Sequence, residues 1–151
     1  MRLVKRVIWF LLFCILFLGI TLAIVAILGM KLRVEHSATA QRAIDGNLQD
    51  VWAAVVQLQQ EFEIPVTVTE ERPPIHRVTQ IVEEPGAAFG GTWTVDLAVA
   101  DSQTLVTIRE DGKIYNPVFR LLGKHVFGHE ATMNQFLDQL ETKFSAESSP
   151  Q

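Results

Sequence analysis

The hydrophobic pattern of the chain changes its period from segment to segment. From Val7 to Met30 there is no charged residue, and 16 of these 24 positions are Leu, Ile, Phe or Val. From Val34 the apolar and polar residues alternate. Val34, His36, Ala38, Ala40 and Arg42 take one side, and Glu35, Ser37, Thr39 and Gln41 the other, which predicts a weakly amphipathic strand over 34–44. Asp45-Gly46-Asn47 reads as a turn with Asn47 as a helix N-cap. Leu48, Val51, Trp52, Val55, Leu58 and Phe62 then recur at near-helical spacing and predict an amphipathic helix over 48–60, ended by Pro65.

The period returns to two in Val66–Thr69, His76–Glu84, Gly90–Ala100 and Thr104–Glu110. Pro73-Pro74, Pro85-Gly86 and Asp101-Ser102-Gln103 separate these strands, and Asp111-Gly112 reads as a hairpin turn into Lys113-Ile114-Tyr115. Asn116-Pro117 predicts a short helical turn to Leu122, broken at Gly123. Met133, Phe136, Leu137, Leu140 and Phe144 form one stripe of a long helix over 126–144. Strands joined in sequence by short turns, with the helices kept apart, mean an α+β fold. The expected form is a curved antiparallel sheet wrapped around a long C-terminal helix.

The first apolar run is long enough to matter by itself. At 1.5 Å per residue it rises about 36 Å, against a hydrocarbon core of about 30 Å. Its 16 large apolar residues favour insertion by about 5–10 kcal/mol. Thr21 alone opposes this, and its hydroxyl can bond back along the helix; Trp9 suits the N-terminal interface. A cleaved signal peptide would have a shorter apolar region with small residues close behind; here the A-x-A pattern Ala38-Thr39-Ala40 lies beyond Lys31 and Arg33. The expected organisation is a membrane anchor over 1–33, one domain over 34–144 and a disordered tail over 145–151. Arg2, Lys5 and Arg6 outweigh Lys31 and Arg33, which places the N-terminus in the cytoplasm and the domain outside it, on the periplasmic side in a bacterium. Gly19 and Ala23 make one small-xxx-small pair, of a kind that arises by chance in so apolar a run.

Charge then narrows the partners. All 17 acidic residues follow Arg33 against eight of the 13 Lys and Arg, so that part carries −9 and the first 33 residues +5. An acidic domain neutralises no phosphates, which argues against nucleic acid and against the domain lying flat on anionic lipid. Cys14 is the single cysteine and lies in the apolar run, so neither an internal disulfide nor a thiolate metal site is expected.

Three stretches carry a resemblance: Ile44 to Trp52 (IDGNLQDVW), Gly91-Thr92-Trp93, and Thr107 to Arg120 (TIREDGKIYNPVFR) continuing into Val126 to Met133 (VFGHEATM). In this order they resemble the START-like superfamily, also called the polyketide cyclase/dehydrase or SRPBCC group, in a subgroup with one N-terminal transmembrane helix. The resemblance runs from about Val34 to Phe144. It implies a helix-grip fold with a cavity between sheet and C-terminal helix, whose members bind lipids, sterols or polyketide-like compounds, some catalysing cyclisation or dehydration. One departure is that many relatives carry an aromatic after a Pro just past the first helix, whereas Glu63-Ile64-Pro65-Val66-Thr67 has none.

The candidate cavity residues are Trp52, Trp93, Val95, Leu97, Phe127, Met133, Phe136 and Leu137; the same residues would serve any core. His125 and His129, four apart with Glu130 adjacent, have the spacing of a metal pair but no evident third ligand, and read better as a solvated helix end. His76 has no evident partner. Asp111 is half of the Asp-Gly turn and Glu110 a charged strand end, as are Glu70-Glu71 and Glu83-Glu84. Asp96 is solvated if Trp93, Val95 and Leu97 face the cavity, the preferred register; the inverted register would put it inside. No Ser-His-Asp set, phosphate loop or zinc spacing is present. The expectation is therefore a membrane-anchored binding domain for an apolar small molecule or lipid, with the bilayer as partner and no cofactor, catalytic residue or metal. The alternatives are a cyclase/dehydratase and a protein-interaction module with a filled core.

Overall fold

The computed structural model describes residues 2–61, 65–123, 128 and 130–147. Its elements in chain order are α1 (Arg2–Met30), β1 (Glu35–Ile44), α2 (Leu48–Glu61), β2 (Val66–Arg72), β3 (His76–Ile81), β4 (Phe89–Ala100), β5 (Gln103–Ile114), α3 (Pro117–Leu122) and α4 (Ala131–Glu147). The five strands form one sheet in the order β1-β5-β4-β3-β2, with every pair antiparallel. The fold is α+β and of the helix-grip kind, with α2 and α4 held on one face of the sheet.

The two-residue period of the strands decides that face. Val95 of β4 stands opposite Ile108 of β5, which stands opposite Ala40 of β1, and Leu97 stands opposite Val106. All five side chains are buried. They meet Val51, Trp52, Val55 and Leu58 of α2 and Met133, Phe136, Leu137 and Leu140 of α4 in one cluster. Fully burying side chains of this size stabilises by about 1.5–3 kcal/mol each. Asp96 points to the other face and accepts a hydrogen bond or ion pair from His76 Nδ1 at 2.6 Å, so the register with Trp93, Val95 and Leu97 inward is the one adopted. That contact also supplies the partner that His76 lacked in the sequence.

Local chemistry fixes the helix starts. Asn47 Oδ1 accepts from the backbone amides of Gln49 at 3.1 Å and Asp50 at 3.0 Å, capping α2. Asn116 Oδ1 does the same for Val118 and Phe119, with Pro117 at the first position of α3. Edge strand β2 is exposed along its whole length and shifts register between Val68 and Glu70, which blunts it against further pairing.

Several boundaries differ from the sequence pattern, among them β2, which runs on to Arg72. β3 ends at Ile81 and not at Glu84; Val82 donates instead to the carbonyl of Pro65, and its side chain is exposed. Asp111-Gly112 does not turn the chain: β5 runs through it to Ile114, paired with β1 on one side and β4 on the other. Gly112 is there for close approach, since a Cβ on it would lie 2.2 Å from the His36 ring. Asp111 faces outward and pairs with Arg109. α4 starts at Ala131 and not at 126, because Gly128 stands at φ +74° outside any helix and Glu130 lies in a turn, and it runs to Glu147, past the expected end at 144. Phe62 and Ile64, and His125, Val126, Phe127 and His129, lie outside the described residues.

α1 contains one stretch, Lys5–Met30, long and apolar enough to cross a membrane, with mean hydropathy 3.1; only near its end, at Gly29, is it buried against the domain. Thr21 Oγ1 donates to the Phe17 carbonyl at 2.9 Å, the expected back-bond. The last turn of α1 rests on α3. A Cβ on Gly29 would lie 1.8 Å from the Pro117 carbonyl oxygen, so only glycine admits this contact. Arg120 then ties the linker down, donating to the carbonyls of Leu32 and Tyr115, each at 2.9 Å.

Candidate functional site

The inner face of the sheet is filled at one end and hollow at the other. The hollow begins one pleat beyond Val95, where Thr79, Trp93, Glu110 and Ala38 stand opposite one another across β3, β4, β5 and β1. The next pleat holds Gly91, Gly112 and His36 in the same alignment. Both glycines in this row are positions of close approach, where a Cβ would meet the neighbouring strand or the His36 ring. Gly91 adopts φ +129°, and a Cβ on it would lie 2.4 Å from the Asp111 carbonyl oxygen, so the backbone approach of β4 and β5 requires glycine there.

The result is a cavity of about 570 Å³, within the usual ~300–1,000 Å³ of small-molecule sites. The sheet contributes His36, Val66, Thr79, Ile81, Phe89, Gly90, Trp93, Glu110, Lys113 and Ile114. Gln59 closes it from α2, Phe119, Leu122 and Gly123 from α3 and just past it, and Ala131, Thr132, Gln135 and Phe136 from α4. Gly128 completes the wall among the described residues. Most of this wall is hydrocarbon.

Its polar part is organised around Glu110. Trp93 Nε1 donates to Glu110 Oε2 at 2.8 Å, and His36 Nε2 lies 3.0 Å from Glu110 Oε1. The side chains of His36 and Glu110 keep 12% and 20% of their exposure, so the pair is largely removed from water. Trp93 in turn meets the Phe136 ring edge-to-face, with centroids 5.9 Å apart at 86°. Such a pair adds about 0.5–1.5 kcal/mol beyond its buried area and fixes the indole that forms the cavity floor. Asp111, on the outer face, has its carboxyl held below the usual carboxylate range by the hydrogen bond from Arg109 and then that from Ser37.

The residues expected at the cavity divide. Trp93 and Phe136 line it. Trp52, Val95, Leu97, Met133 and Leu137 sit in the adjoining core, and Phe127 lies outside the described residues. Glu110, read from sequence as a strand-end charge, is an inward residue of β5 and the centre of the polar cluster. Its signal was there: Val106, Ile108 and Glu110 continue one inward alternation. Gln59 was missed likewise. It follows Trp52 and Val55/Val56 at helical spacing, a polar residue on an apolar stripe, and it is buried to 8% exposure. Among the described residues neither Oε1 nor Nε2 of its amide has a hydrogen-bond partner. Leaving such an amide buried and unpaired costs about 1–3 kcal/mol. Among the described residues no group of three His, Cys, Asp or Glu is placed to hold a metal ion; His125 and His129 fall outside them.

Solved structures of distant sequence share this fold. A Mesorhizobium loti protein matches with TM-score 0.58 at 12% identity, covering 76% of this chain and 100% of its own. A conserved protein from Geobacillus kaustophilus gives 0.57 at 15%, covering 74% and 96%. The Aha1 dimer from Colwellia psychrerythraea gives 0.55 at 14%, covering 76% and 99%. No family model and no curated protein matches the chain. At these identities the likeness is one of fold.

Proposed function

We propose that this chain is a membrane-anchored binding domain for an apolar small molecule or lipid. The observation that carries the reading is the hydrocarbon-walled cavity of about 570 Å³ between sheet, α3 and α4. α3 gives the reading its geometry. It walls the cavity with Phe119 and Leu122 and carries the end of α1 on Pro117. A spanning α1 therefore sets this wall beside the bilayer surface, where apolar ligands partition. Phe119 and Phe89, on the cavity wall, and Tyr115 beside them are exposed large side chains on this side of the domain.

The charge flanking α1 supports a domain outside the cytoplasm, and the acidity of the domain supports its standing upright from anionic lipid. Binding is favoured over proton transfer because both oxygens of Glu110 are already engaged, by Trp93 and His36. The test is native mass spectrometry of the full chain extracted in mild detergent, followed by thermal shift with C12–C18 lipids and sterols. Co-purifying lipid, or a raised Tm with at least one apolar class, is expected. A ligand-free chain whose Tm none of them raises would sink the reading.

A further inference from the structure

Resting on that reading, we infer that the ligand is amphiphilic with an uncharged head, and that the amide of Gln59 reads a group that both donates and accepts a hydrogen bond. Gln59 combines three observations. It lines the cavity, it is a buried residue at 8% exposure, and its amide oxygen and nitrogen both lack a partner among the described residues. The helical stripe of α2 would place a Leu or Val at this position as naturally as it places Val55 and Leu58. An amide closed off there is unfavourable to the empty protein, and becomes favourable when the side chain turns toward the cavity and a ligand group pairs with it.

The pairing dictates the chemistry. Gln59 Oε1 accepts and Nε2 donates, so one ligand group satisfies both only if it also does both. A primary carboxamide, an undissociated acid or a hydroxyl qualifies. A carboxylate or phosphate only accepts; it would leave Oε1 facing an anion, on a wall that already carries the Glu110 side chain. An ester only accepts and leaves Oε1 unpaired. The remaining wall, from Val66 and Ile81 to Phe119 and Leu122, takes the hydrocarbon tail.

The test uses the full chain in detergent and three probes with one tail: palmitamide, methyl palmitate and palmitate at pH 8. Competitive native mass spectrometry reads their relative occupancy. Palmitamide is expected to bind about tenfold or more tightly than either of the others. In Gln59→Met, close to Gln in length and volume, that preference collapses while methyl palmitate binding stays within about twofold. Gln59→Leu serves as the second variant if Gln59→Met does not fold. Equal binding of the three probes, or a preference that survives both variants, overturns the inference and leaves the apolar-cavity reading standing. Failure of all three to bind overturns the inference, and the apolar-cavity reading then stands or falls by the wider lipid and sterol panel.

Discussion

Trp93 and Glu110 face each other across β4 and β5, and the indole N–H donates to one carboxylate oxygen at 2.8 Å while His36 occupies the other at 3.0 Å. The carboxylate thus joins three strands at the floor of the cavity. Glu110→Ala leaves two buried ring nitrogens without their acceptor, at a cost of about 1–3 kcal/mol. For a domain of this size each kcal/mol moves Tm by about 4–8 °C. A fall of at least 4 °C for Glu110→Ala is therefore expected by scanning fluorimetry in detergent. Glu110→Gln, which keeps one acceptor, should fall by less. Equal Tm for wild type and Glu110→Ala would show that the cluster adds nothing to the fold.

The glycines next to this cluster make a second prediction. A Cβ at Gly112 would reach within 2.2 Å of the His36 ring and 2.9 Å of Glu110 Oε1, contacts that a side chain can relieve by moving. A Cβ at Gly91 meets backbone, the Asp111 carbonyl at 2.4 Å, and stands at φ +129°. Backbone gives less readily than an imidazole, and the φ itself costs about 1–3 kcal/mol for a residue with a side chain. Gly91→Ala is thus expected to lower the denaturation midpoint more than Gly112→Ala. The reverse order would place the constraint at the His36 ring.

The fold was legible where period and caps coincide. The inward set Trp93, Val95 and Leu97, the caps Asn47 and Asn116, and the stripe from Met133 to Leu140 all follow from spacing alone, because each buries an apolar face. What spacing could not give is how completely the faces fill. Val95 and Trp93 lie on the same face of one strand, yet one packs into the core and the other floors a cavity. The difference is made by α3, which arrives from elsewhere in the chain and walls the hollow with Phe119 and Leu122. Asp111-Gly112 misled for a related reason. Its residues suit a turn, but the ladder to β1 and β4 overrides local preference and uses the glycine for close approach. Polar residues on inward positions, Gln59 and Glu110, were the overlooked signal.

Acid stability should report Asp111. Its carboxyl is held below the usual range by Arg109 first and Ser37 second. A depressed folded pKa means that the contribution is present above the unfolded value, near 3.9, and is lost as pH falls through the still lower folded value. Wild-type stability should therefore drop on acidification from about pH 4 downward. Asp111→Asn should flatten part of that limb and leave the profile between pH 6 and 8 parallel to wild type. The side chain is 44% exposed, so the effect is a change of slope and should shrink in high salt. An acid limb identical in the two proteins would assign the loss to other carboxylates.

The junction between anchor and domain gives the prediction closest to function. Arg120 holds the Leu32 carbonyl at 2.9 Å, and Leu32 lies between Lys31 and Arg33, two tryptic sites. While the linker is pinned, the backbone at these sites is kept from the extended, accessible form that a protease requires. Arg120→Ala removes the bonds to both Leu32 and Tyr115. A loss of about 1–1.4 kcal/mol in local closure raises the open fraction roughly five- to tenfold, and proteolysis in this regime follows that fraction. Cleavage by trypsin at Lys31 and Arg33, releasing the domain from the membrane, should accelerate by a similar factor. Gly29→Val should do the same by forcing α1 off the Pro117 carbonyl, which a Cβ would approach to 1.8 Å. Since α3 is also a wall of the cavity, both variants should weaken ligand retention in the membrane-bound protein while the cavity floor of Trp93 and Glu110 stays intact. Unchanged cleavage in both would mean that the anchor and the domain move independently, and the placement of the cavity beside the bilayer would then fail with it.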